Sequence, residues 1–133
     1  MKLIVVFLLL LGCPTLGWSQ CEESLRKAEK TFGTNFIAEP NYVQGMLSQG
    51  DTLTFHSLWL VDNTYRIATS ASDLERIRIT IFDQNNNIIF DSAEFNYPAD
   101  WDFFVENSLA VRCVIRSEMT EPGCVTVLTG FKK

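Results

Sequence analysis

Isoleucines 77, 79 and 81 alternate with Arg78 and Thr80, the period-two pattern of a strand that buries one face. The same alternation places Leu53, Phe55 and Trp59 opposite Thr54 and His56, and Val111, Cys113 and Ile115 opposite Arg112 and Arg116. Strands are predicted over residues 42–47, 52–60, 64–70, 76–82, 88–91, 101–106, 109–116 and 124–131. Turn residues separate them: Ser48-Gln49-Gly50-Asp51 reads as a hairpin-like turn, and Asp62-Asn63 and the asparagine-rich run 83–87 as further turns, since asparagine tolerates the left-handed conformation. Only one segment has helical periodicity. Over residues 22–32, Leu25, Ala28 and Phe32 share a face, Glu22 and Glu23 suit the first turn, Lys30 suits the last, and Gly33 stops the helix. Residues 35–41 read as an irregular connector, with Pro40 opposing continuation of the helix. About eight short strands with no helix between them predict a mainly β fold: an antiparallel two-sheet sandwich, jelly-roll-like, with one short N-terminal helix.

The start of the chain has a different character. Lys2 precedes an unbroken apolar run from Leu3 to Leu11, and Gly12, Pro14, Gly17 and Ser19 follow. That order is a secretory leader, with Gly17 and Ser19 at −3 and −1 and cleavage before Gln20. The apolar run is too short for a membrane-spanning helix, which needs about 20 residues. Cys13 after Leu10-Leu11-Gly12 offers a competing, lipoprotein-like cleavage that would anchor the protein by an acyl chain. The expected organisation is a signal peptide (1–19), a helix and connector (20–41) and one sandwich domain (42–133), secreted or periplasmic, with no transmembrane segment after processing.

Past the leader stand Cys21, Cys113 and Cys124, an odd number for an oxidising compartment. If 112–118 and 124–131 formed a hairpin with its loop near 119–123, Cys113 would face Leu128. Four residues of stagger from Cys124, at roughly 3.3 Å each, is too far for a bond whose Cα atoms lie about 5–6 Å apart. Cys113 also alternates with Val111 and Ile115, as a core residue would. One disulfide is therefore expected, Cys21–Cys124, with Cys113 free.

Charge narrows the partners. Lys2 is the only charged residue of the leader, so the processed chain has ten basic and sixteen acidic residues, a net charge near −6. No basic stripe of the kind that binds nucleic acid is present; Arg76, Arg78, Arg112 and Arg116 read as solvated strand faces among acids. His56 is the only histidine, and no local motif supplies the nucleophile or orienting carboxylate that a general base requires. Three cysteines and one histidine lack the close pairs of a zinc site. The acidic stretch Asp91, Glu94, Asp100, Asp102 and Glu106 and the 83–87 turn lack the ligand spacing of an EF-hand calcium loop. No catalytic residue, metal or cofactor is assigned. The remaining candidate site is aromatic: Tyr97, Trp101 and Phe103, where the adjacency of Phe103 and Phe104 forces one ring outward, available to stack on a sugar or anchor a protein.

Taken together, the run from Asp51-Thr52-Leu53-Thr54-Phe55 through Tyr65-Arg66-Ile67, residues 77–82 and 83–87, Ile89-Phe90-Asp91 and the closing Gly123-Cys124-Val125-Thr126-Val127-Leu128-Thr129-Gly130-Phe131 resembles small uncharacterised secreted bacterial proteins. Its layout is similar to jelly-roll modules of the pre-peptidase C-terminal and GOLD type, although Asn86-Asn87 stands where those modules often carry glycine. The resemblance implies an accessory or binding domain without catalytic residues. The expected function is a secreted non-enzymatic binding or envelope-associated module whose partner is a protein or a glycan. A carbohydrate-binding module using the aromatics and a small secreted hydrolase are the competing readings.

Overall fold

The structure, a computed structural model, describes residues 16–40 and 42–133. The expected leader lies for the most part outside those residues, Cys13 included. Helix α1 (Leu16–Phe32) is followed by nine strands: β1 (Phe36–Ala38), β2 (Val43–Leu47), β3 (Thr52–Trp59), β4 (Thr64–Ser70), β5 (Ile77–Phe82), β6 (Ile88–Asp91), β7 (Asp100–Phe104), β8 (Leu109–Ser117) and β9 (Gly123–Lys132). All pair antiparallel in two sheets. One has the order β1-β9-β4-β7, with β2 also pairing β9; the other is β3-β8-β5-β6. The mainly β sandwich, with one α-helix among the described residues, is the architecture that the alternation predicts.

Between the sheets the inward residues meet. Ile77, Ile79 and Ile81 from β5 and Val111, Cys113 and Ile115 from β8 pack against Tyr65, Ile67, Val125 and Val127, with Trp59 and Phe90 among them. A second, smaller cluster lies outside the five-stranded sheet, where Ala28 and Phe32 of α1 cover Ala68 and Leu128 beside Phe36. The helical stripe read from the sequence is the one that docks. Gly33, at φ 79°, ends the helix in the left-handed region and donates its N–H to the Glu29 carbonyl.

Three local expectations need correction. The helix begins at Leu16, not Glu22; no proline or turn sequence interrupts 16–22, so Glu22 and Glu23 lie beyond the first turn and pair with Arg26 and Lys27. Residues 36–38 form a strand, held against 130–132, which a three-residue segment is too short to announce by periodicity. Neither expected hairpin forms. β2 and β3 lie in opposite sheets, so 48–51 arches between them, with Gly50 at φ 86° and its N–H bonded to Ser117 O. β8 and β9 are likewise in different sheets. Cys113 is fully buried and free, and Cys21 is bonded to Cys124 with Cα atoms 5.3 Å apart. The expected pairing holds although the register used to argue it does not; the inward alternation of Cys113 was sufficient.

Candidate functional site

The two outer faces of the sandwich are finished differently. α1 closes the five-stranded sheet. Its Ser24 hydroxyl donates to Ser70 O (3.1 Å) and receives Thr126 Oγ1 (2.9 Å), and Gln44 Nε2 donates to Cys21 O and Thr126 Oγ1. The Cys21–Cys124 bond fastens the same region. At the other end of the helix Arg66 donates to Phe32 O, forks onto Asp102 at 2.6 and 2.9 Å, and lies 4.0 Å above the Phe36 ring.

Nothing among the described residues covers the four-stranded sheet. The ladder sets out its exposed face in rows. Thr54, Val114, Thr80 and Asp91 stand side by side, and next to them His56, Arg112, Phe82 and Ile88. Directly paired residues share a face, so the second row lines a cation, an aromatic ring and an aliphatic side chain along the surface. Arg78 forks onto Asp91, with Nε 3.0 Å from Oδ1, and Asp91 also accepts the Ala93 N–H. The guanidinium beside it holds the Asp91 carboxyl below the ordinary carboxylate range. Arg116 pairs with Glu118 at 2.7 Å. Among the described residues Arg112 has no carboxylate partner: it lies 4.6 Å over the Phe82 ring, and its Nε is shielded from water without an acceptor.

Where this face meets the β5–β6 turn there is a groove of about 490 Å³, lined by His56, Leu58, Ala110, Arg112 and residues of the turn. Asp83 shapes the turn, its Oδ1 accepting the N–H groups of Asn85 and Asn87 at 2.9 Å. Those bonds lower its pKa, and Asn86 takes a left-handed φ of 62°. The asparagines thus act as turn formers, and the carboxylate is occupied by its own backbone. Among the described residues no three His, Cys, Asp or Glu side chains gather as a metal would require.

The aromatic candidates separate. Trp101 and Phe103 point between the sheets: Trp101 contacts Phe90 and Phe95 with ring centroids 5.2 and 4.5 Å away, and Phe103 lies 5.0 Å from Trp59. Phe104 is the ring turned outward, 63% exposed. Tyr97 is apart from them, half-buried beside Arg76, Arg78 and Glu118. It is held with Asn96 at positive φ, 53° and 60°, a conformation that an aromatic residue rarely adopts. His56 has a cation, Arg112, as its cross-strand neighbour, whereas an orienting partner for a base would be a carboxylate. From the sequence alone Arg112 reads as a solvated charge among acids. Its neighbours across the sheet are His56 and Phe82, and Arg78 and Arg116, not Arg112, have the carboxylates. The one available signal was the outward alternation of Ala110, Arg112, Val114 and Arg116.

The described residues thus form a two-sheet β-sandwich with one outer face closed by a disulfide-fastened helix and the other left open among them. No family model and no curated protein matches the chain, and the expected likeness to pre-peptidase C-terminal and GOLD-type modules finds no support there. Among solved structures it is similar to Aeromonas hydrophila PliG, described as a periplasmic lysozyme inhibitor of g-type lysozyme. The TM-score is 0.53 at 11% identity, covering 69% of this chain and 85% of that one. At that identity the likeness is one of fold.

Proposed function

We propose that this protein is an exported, non-enzymatic module that binds another protein through the open face of its four-stranded sheet, and that the partner is a wall-degrading hydrolase of the lysozyme kind. The observation that carries the reading is the contrast between the two faces. Four strands about 4.8 Å apart span roughly 14 Å between the outer strand axes and carry their side chains on one continuous face. An arginine and a phenylalanine, residue types enriched in protein–protein contacts, stand on it beside the exposed aliphatic side chains of Leu58 and Ile88. The disulfide fits export, because such bonds persist in oxidising compartments. The solved inhibitor of g-type lysozyme with this fold supplies the partner class. A lone histidine beside a cation, and carboxylates engaged by Arg78, Arg66 and the 83–87 turn, support a binding role over a hydrolytic one. Trp101 and Phe103 serve the interior, so the proposed contact surface moves to the sheet face, with Tyr97 at its far margin.

The test is a turbidity assay of peptidoglycan lysis by lysozymes of the g type and of other types, with purified residues 20–133 added at increasing concentration. Saturable slowing of at least one lysozyme, with no lysis by the protein alone, is the expected result. Failure to slow any of them at tens of micromolar, or turnover by the protein itself that disappears in His56→Ala, would overturn the reading.

A further inference from the structure

The geometry points to Arg112 as the anchor of that face, a preset receptor for a carboxylate side chain of the bound protein. The inference rests on the protein-binding reading above and names the chemistry of the contact. Three observations meet at this residue. Arg78 and Arg116 on the same face each have a carboxylate, Asp91 and Glu118, while among the described residues Arg112 has none. Its guanidinium is propped over Phe82 at 4.6 Å, and its Nε is desolvated without an acceptor. It also borders the 490 Å³ groove beside His56 and Leu58.

An arginine held against a ring has lost much of its rotamer freedom before binding, so little more is lost when a planar partner arrives. A carboxylate offers the matching two-pronged acceptor. Leu58, 62% exposed, and Ile88, 60% exposed, flank the position and would be covered by the partner's surface around the ion pair. That is the arrangement in which an interfacial arginine becomes a hot spot: central, ringed by contacts that exclude water. Charge favours this occupant over an anionic lipid or nucleic acid, because the chain as a whole is negative and a single under-paired arginine selects one carboxylate, not a charged sheet.

Two arms test it on residues 20–133. In the first, the Nε–H resonances of the ¹⁵N-labelled protein are followed during titration with N-acetylglutamate. The Arg112 resonance is expected to shift saturably and by more than twice the shifts of Arg78 and Arg116; equal movement of all three overturns the proposal. In the second, affinity for a lysozyme that the wild type binds is measured for Arg112→Ala and Arg112→Lys, each checked for folding by circular dichroism. A loss of at least about 30-fold for alanine and about 10-fold for lysine, which keeps the charge but loses the fork, is expected, with Arg26→Ala on the helix unchanged. Arg112→Ala within twofold of wild type overturns the anchor while leaving the lysozyme reading standing. An Arg112-selective shift in a protein that binds no lysozyme leaves the anchor and removes that partner class.

Discussion

Breaking the bond between Cys21 and Cys124 measures how much of the fold depends on holding α1 to the sandwich. The two cysteines are 103 residues apart in sequence. In the chain-entropy model, closing a loop of about 100 residues in the unfolded state is worth about 4.7 kcal/mol at 25 °C. The helix keeps other attachments when the bond is gone: Ala28 and Phe32 remain on Ala68 and Leu128, and Ser24 keeps its bonds to Ser70 and Thr126. The loss should therefore come through the unfolded chain, about 3–5 kcal/mol, a large part of the ~5–15 kcal/mol typical of a domain. Cys21→Ala/Cys124→Ala is the suitable variant, because single substitutions would leave a second thiol to mispair. Cys113 is fully enclosed in the folded protein, where burial pushes its thiol up to about 12; urea exposes it, so both proteins are unfolded at mildly acidic pH, where little thiolate forms to exchange. Urea unfolding of both proteins, each fitted with its own slope because the unbridged chain unfolds to a less compact state, gives the difference. A loss below about 1 kcal/mol would refute the reasoning, and so would exchange protection lost only in residues 24–32, which would show the helix detaching while the sandwich stayed intact.

Two further outcomes follow from the geometry. Asp91→Asn should cost about 1 kcal/mol at neutral pH, since Arg78 is half exposed and solvent screens the pair. The native carboxyl titrates below its unfolded value, so the contribution is present above about pH 4 and fades as pH falls through the depressed value. Denaturation curves for wild type and variant should converge at low pH; a gap that widens there would contradict the assignment. Gly130→Ala should cost about 2–3 kcal/mol, because a Cβ there overlaps Ile37 O and comes within 2.6 Å of the Phe32 ring. Thermal melts should show the loss, and a neutral result would mean that β1 is not seated where the structure has it.

Residue periodicity carried the strands and their buried faces, because the pleat repeats every two residues and needs no knowledge of partners. Ile77–Phe82, the inward turn of Cys113 and the helical stripe Leu25, Ala28 and Phe32 were legible for that reason. Strand pairing was not. Whether residues 119–123 join a hairpin or cross between sheets depends on contacts far apart in sequence. Met119 illustrates this, lying buried in the inter-sheet core where a hairpin loop residue would be exposed. The same non-locality hid the candidate site. Arg112 reads as a solvated charge from its sequence neighbours, and only the register against His56 and Phe82 sets it on a ring without a carboxylate. The aromatic segment failed as a guide in the opposite sense: the adjacency of Phe103 and Phe104 did force one ring outward, but it was Phe104.

The central claim, that the open face of the four-stranded sheet receives a protein partner, is tested most directly by hydrogen exchange of residues 20–133 with and without saturating g-type lysozyme. The account predicts slowed exchange confined to β3, the end of β5 with the 83–87 turn and the start of β6, and the first half of β8, with α1 unchanged. Exchange that is identical in the presence of lysozyme, or protection that falls on α1 and β7 instead, would contradict it.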